Sequence, residues 1–162
     1  MAIGLYAGSF DPPHLGHLSL IEVASRWCTK LYVVAAGNPN KSSSFLDLDE
    51  RRDLLEASTV NLGNVVVLSH SGLVAEFAVS LDVDVLIRGM GKDQNIEFEM
   101  AIANEAMSGI PTVFLPSDHS TAGIASRIVR AEFLRAGPDA IRDMVPEPVH
   151  EALGRRFDLT AS

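Results

Sequence analysis

The amino-acid sequence predicts an α/β protein, a doubly wound five-stranded parallel sheet with helices on both faces and a C-terminal helical cap. Three observations carry this. Five short runs of apolar, β-branched residues recur at fairly even spacing. Each is continuous rather than alternating, as in strands covered on both faces. A helix-like stretch follows every one, the alternation that builds parallel βαβ units.

The predicted strands are AIGLYA (2–7), LYVVAA (31–36), NVVVLS (64–69), DVLIRG (84–89) and PTVFLP (111–116). HLSLIEVASRW follows the first and LDLDERRDLLEAST the second, where Asp47 and Glu50 have the spacing of a capping box. LVAEFAVSL, NIEFEMAIANEAM and IASRIVRAEFL follow the third, fourth and fifth. Beyond Gly137-Pro138 the pattern changes to DAIRDM and PEPVHEALGRR, which are read as the cap, with prolines near the start of the latter. The whole is expected to be one Rossmann-like domain over residues 1–162, its C-terminal helices at about 138–156.

Composition narrows the function classes. A net charge of −8 argues against a broad basic face for nucleic acid, although a local cluster of the 13 basic residues can still hold an anion. No apolar run approaches the roughly 18 residues that span a bilayer. MAIGLYAGSF lacks the basic segment and cleavable apolar core of a secretion signal, so the expected location is cytoplasmic. Cys28 is the only cysteine, which excludes internal disulfides and multi-cysteine zinc sites; it is expected as a small buried group in the first helix.

Ligands of doubly wound sheets bind beyond the carboxyl ends of the strands. The loops to inspect are therefore 8–14, 37–46, 69–73, 88–95 and 116–123. The first, Gly8-Ser9-Phe10-Asp11-Pro12-Pro13, leads into His14-Leu15-Gly16-His17 at a helix start. A helix N-terminus offers free N–H groups and the positive end of a dipole, and His17 can add a ring N–H for a phosphate oxygen. The competing reading is that the histidines only cap the helix or fill space. A metal site needs a third ligand, for which Asp11 is the sole neighbour, and the donor set is poor for zinc, so no metal site is assigned.

The other loops add cations. Lys41 follows the second strand, Arg88 stands at the end of the fourth, and Lys92 comes soon after. A guanidinium there can fork onto phosphate. Glu97 and Glu99 are two apart, so they do not share a helix face as an acid/base pair. Ser117-Asp118-His119-Ser120-Thr121-Ala122-Gly123 then opens a second helix whose first turns carry Ser126, Arg127 and Arg130. Taken together, His17, Lys41, Arg88 and Arg127 at one sheet edge point to a polyphosphate pocket.

GSFDPPHLGH resembles the G-[ST]-F-D-P-x-x-x-G-H signature of the nucleotidyltransferase superfamily. LGNVVVLSHSGLVAEFA, DVLIRGMGKDQNIEFEM and PEPVHEAL are similar to segments of the phosphopantetheine adenylyltransferase family, a likeness reaching about residue 156. The resemblance implies adenylyl transfer from ATP, with Mg²⁺ arriving on the nucleotide, to 4′-phosphopantetheine, giving dephospho-coenzyme A and pyrophosphate. It implies an acceptor site of Ser9, Lys41, Val74 and Arg88. The implied ATP site comprises Ser9, Phe10, His17, Gly89, Met90, Gly91, Lys92, Glu99, Ser120, Thr121, Ile124, Ser126 and Arg127. His17, Lys41 and Arg88 are the implied catalytic groups, and a homohexamer with feedback binding of coenzyme A is the implied assembly and control.

The chain departs from that pattern at several positions. Gly91 stands where the family has arginine, with Lys92 next to it; Ile124-Ala125-Ser126-Arg127 replaces a serine-rich segment after an apparent one-residue insertion; His119 stands near a usual aromatic; and His14 is more typical of related transferases. Two alternatives therefore stay open. One is an adenylyl- or cytidylyltransferase with another acceptor, such as nicotinamide mononucleotide or a sugar or polyol phosphate. The other is a catalytically impaired relative that binds nucleotide or coenzyme A.

Overall fold

A computed structural model describes residues 1–37, 43–90 and 94–161. The chain runs β1 (Ala2–Gly8), α1 (Leu15–Ser25), β2 (Cys28–Gly37), α2 (Leu48–Ser58), β3 (Val65–Ser71), α3 (Val74–Ser80) and β4 (Val85–Met90). It continues with α4 (Gln94–Ser108), β5 (Thr112–Pro116), α5 (Ser126–Ala136), a 3-10 turn (Pro138–Ile141) and α6 (Glu147–Ala161). The expected alternation of strand and helix is present, and all four strand pairings are parallel. Asp47 and Glu50 form the capping box at the start of α2, with reciprocal bonds of 2.8 and 2.9 Å.

Strand order is β3-β2-β1-β4-β5, so the winding reverses between β1 and β4. Tyr6 pairs with Ile87 at that junction, which puts Arg88 just beyond it at the carboxyl edge. Side chains alternate between two cores. Tyr6, Val33 and Ala35 pack with Leu20, Ile21 and Leu55 of α1 and α2, whereas Leu5 and Val34 pack with Ala78 of α3 on the other face. The edge strands depart from full burial: Val66 of β3 and Val113 of β5 are exposed, because each strand has a neighbour on one side only.

Cys28 corrects its expected place. It begins β2 rather than lying in α1, and it is buried beneath β1 at Gly4. A Cβ on Gly4 would lie 2.7 Å from the Cys28 Sγ and 2.9 Å from the Ile87 Cδ1. Gly4→Ala is therefore expected to cost about 1–3 kcal/mol of stability, as overpacked cores do. A lowered melting temperature that recovers in part in Gly4→Ala/Cys28→Ala checks this.

A third apolar cluster lies beneath the cap, where Leu46, Val129, Phe133, Ile141, Val145, Val149 and Leu153 bury one another. It joins the segment before α2 to α5 and α6. Among the described residues no helix is long and apolar enough to cross a membrane.

Candidate active site

Two cavities open along the carboxyl edge of the sheet. The first, of about 700 Å³, lies between the starts of α1 and α5 and is lined by His14, Gly16, His17, Gly89, Met90, Thr121 and Ile124, among others. The second, of about 1110 Å³, is lined by Ser9, Ser43, Ser44, Ser71, Val74, Arg51 and Arg130, among others. Gly8, Arg88, Ala125 and Arg127 line both, so two arginines stand where the cavities meet.

The start of α1 is built differently from the expectation of free N–H groups. Leu15 donates to the carbonyl of Met144 at 2.9 Å, Gly16 to the His14 Nδ1 at 3.1 Å, and His17 and Leu18 to the His14 carbonyl at 2.9 and 3.2 Å. The first-turn donors are thus spent inside the protein. His14 is the N-cap, and a Cβ on Gly16 would come within 3.0 Å of its ring. What the helix start still presents is the His17 ring. Its Nδ1 accepts from the His14 N–H at 3.2 Å, which assigns the proton of the neutral imidazole to Nε2, as a donor into the first cavity.

Two rings hold that imidazole, and a third backs one of them. His14 stacks on His17 with centroids 3.6 Å apart, and Phe10 meets it edge-on at 4.8 Å. Phe10 in turn meets Tyr6 edge-on at 5.4 Å. Phe10 is fully buried at φ 47°, a left-handed conformation that a bulky residue rarely adopts and that tucks its ring under the histidine. Phe10 lines neither cavity.

Burial lowers the His14 pKa from 6.5 to about 4. Burial, and then the neighbouring His14, hold the His17 pKa well below the usual imidazole value. Both rings are neutral at pH 7. Because the unfolded chain takes up a proton below 6.5 and the folded His14 does not until about 4, stability falls as pH drops through that window. The loss from His14 is expected to reach about 3 kcal/mol by pH 4. His14→Ser keeps a capping oxygen, so its melting temperature, followed from pH 7 to pH 4, should fall less steeply than that of the unaltered protein.

Asp11 spends both carboxylate oxygens on backbone, accepting from Phe45 at 2.9 Å and Leu46 at 2.7 Å. Among the described residues no three histidines, cysteines or carboxylates cluster as metal ligands. At α5 no side chain among the described residues caps the first turn, so its positive end faces the cleft beside Arg127.

The remaining implied residues divide. Ser9, Val74 and Arg88 line the second cavity together; His17, Gly89, Met90, Thr121, Ile124 and Arg127 line the first. Ser126 lines the second rather than the first, and its Oγ donates to the Pro12 carbonyl at 2.9 Å. Ser120 is folded onto Asp118, to which its N–H and Oγ donate at 2.8 and 2.5 Å, and it lines neither cavity. Glu99 is exposed on α4 and also lines neither. Lys41, Gly91 and Lys92 lie outside the described residues.

One arginine escaped the sequence reading, and a second was noted only as a cation in the opening turns of α5. Arg51 is 6% exposed, and its guanidinium donates to the carbonyls of Ser9 at 2.8 Å and Asp47 at 3.2 Å, bracing the loop after β1. Arg130 braces the same loop at the Asp11 carbonyl. The available signal was position: Arg51 shares a helix face with Leu48 and Leu55, a charge on an apolar stripe.

Residues 5–132, which carry most of both cavity walls, match the model of the cytidylyltransferase-like family. In class, the protein is a nucleotidyltransferase. Across nearly its whole length it is 37% identical, over 155 residues and 94% of each chain, to the phosphopantetheine adenylyltransferase of Actinobacillus succinogenes. It is 36% identical over 160 residues to that of Alkaliphilus oremlandii, covering 97% of this chain and 100% of that one. The chain belongs to the phosphopantetheine adenylyltransferase family. Its fold is shared with a bifunctional NMN adenylyltransferase/ADP ribose pyrophosphatase from Francisella tularensis, at a TM-score of 0.70 and 13% identity over 98% of this chain and 50% of that one.

Proposed function

We propose that this protein transfers the adenylyl group of ATP to 4′-phosphopantetheine, forming dephospho-coenzyme A and releasing pyrophosphate. The observation that supports the reading is the meeting of two cavities at Arg88 and Arg127, with His17, Gly89, Met90, Thr121 and Ile124 along the first and Ser9 and Val74 along the second. ATP occupies the first and the acceptor the second.

An acceptor phosphate is already anionic at neutral pH, so no base is needed to make the nucleophile. One of its oxygens forms a bond to the α-phosphorus as the bond to the bridging oxygen of pyrophosphate breaks. The barrier lies in bringing two anions into line and in stabilising charge on the α-phosphoryl oxygens and the leaving group. The His17 Nε2–H donates to the α-phosphoryl group, Arg88 holds the acceptor phosphate, and Lys41 bridges the two. Arg127 and the start of α5 hold the β,γ-phosphates. Mg²⁺, arriving as part of the MgATP substrate, would supply neutralisation of triphosphate charge.

These groups are taken to lie in one domain capped by residues 138–156, in a cytoplasmic enzyme. Ile96, Phe98, Met100, Ile102 and Met107 of α4 are exposed, apolar surface that supports a homo-oligomer; its hexameric form is what the family resemblance implies. Coenzyme A, which carries the acceptor's pantetheine arm, would compete in the second cavity as a feedback ligand. Pyrophosphate release from ATP across a panel of phosphorylated acceptors tests the function. Release with phosphopantetheine alone is expected. Release with nicotinamide mononucleotide instead overturns the acceptor, and tight ATP binding without release overturns the chemistry.

A further inference from the structure

The C-terminal helix reaches the wall of the second cavity at Phe45, through Arg156 and through an aromatic run. Arg156 of α6 donates from Nη1 to the Phe45 carbonyl at 3.1 Å, and its guanidinium lies 5.6 Å from the centre of the Phe45 ring. From the opposite side the Phe45 N–H is held by Asp11 at 2.9 Å. Phe45 is therefore fixed at both polar ends, by the loop after β1 and by the cap. Its ring meets Phe133 at 5.7 Å, and Phe133 meets Phe157 at 5.9 Å, so an aromatic run continues the link into α6.

Phe45 and its neighbours Ser43 and Ser44 line the second cavity and not the first. Leu46, directly after them, is anchored in the cluster beneath the cap rather than in the sheet core. That stretch of cavity wall is thus placed by α5, α6 and Asp11. The ion pair of Arg156 with Glu50 is 3.9 Å long and half exposed, a contact that contributes little stability. A guanidinium that both faces a ring and donates to the carbonyl of the same residue is instead a geometric constraint.

We propose that Arg156 is a positioning residue for the acceptor: acting through Phe45, it sets the wall of the second cavity and leaves the nucleotide side unaffected. The inference rests on the assignment of that cavity to the acceptor. Steady-state kinetics on the full chain, with each substrate varied in turn, test it in Arg156→Ala, Arg156→Lys, Phe45→Ala, the double variant Arg156→Ala/Phe45→Ala, and Val74→Phe, with melting temperatures recorded for all.

Arg156→Ala is expected to raise the acceptor KM about fivefold, the scale of one exposed cation–π contact with one hydrogen bond. Its kcat and ATP KM should stay within about twofold of the unaltered enzyme, a split that marks lost ground-state positioning. Arg156→Lys should fall between, and the double variant should be no worse than the poorer single, because the two residues act as one unit. Val74→Phe reports on the cavity alone. If Val74→Phe folds and leaves the acceptor KM unchanged, the cavity assignment fails and the proposal with it. If Val74→Phe raises that KM and Arg156→Ala does not, the role of Arg156 alone is overturned, as it is if Arg156→Ala lowers the melting temperature with all kinetic constants intact.

Discussion

His17→Ala is expected to lower kcat by about 10²–10³-fold, the usual cost of removing one preorganised donor from a developing oxyanion. The KM for ATP should move only a few-fold, because the bond from Nε2 strengthens as charge gathers on the α-phosphoryl oxygens. The first-turn N–H groups of α1 cannot replace it, because they are bonded to His14 and Met144. The pKa of His17 lies well below the usual imidazole value, so the ring works as a neutral donor. Its contribution to kcat should be level across neutral pH and decline only in acid, whereas a general base of ordinary pKa would lose activity around 6.5. Wild-type turnover in His17→Ala, or a kcat that falls on a pKa near 6.5, would remove His17 from this role.

Arg88→Ala is expected to lower kcat/KM for both substrates by about 10³-fold, since the two cavities share this side chain and a charge-assisted, forked contact is lost. Arg88→Lys should recover a minor part, as an ammonium keeps the charge but not the fork. Separate titrations of ATP and acceptor, each with the other saturating, give the measurement. An effect confined to one substrate would move Arg88 from the junction to a single subsite.

The fold was legible because its signals are local and redundant. Continuous apolar runs mark β1, β2 and β4, whose positions at the centre of the sheet require it, and the Asp47–Glu50 pair marks the start of α2 to the residue. The runs at β3 and β5 were equally legible as strands but not as edges, since edge position is a property of strand order. Cys28 was assigned to α1 because nothing in a short apolar stretch locates the turn at 26–27.

At the site, residue type and sheet edge were enough to single out His17, Arg88 and Arg127. The direction of each polar group was not readable. The expectation of free N–H groups at α1 failed because His14 caps that turn, and Ser120 and Ser126 are spent on Asp118 and Pro12, partners settled by loop geometry. Arg51 was passed over and Arg130 noted only as a cation for a related reason: they hold main-chain oxygens of the first loop, partners that the fold rather than the local sequence settles.

The division of the cleft has a corollary. Ser43, Ser44, Ser71 and Val74, which face only the second cavity, belong to different segments from Thr121, Ile124 and His17, which face only the first. On the proposed assignment, substitutions along the former would alter acceptor preference and leave the nucleotide side unchanged. A chain built this way is like an adapter whose two ends can be altered one at a time.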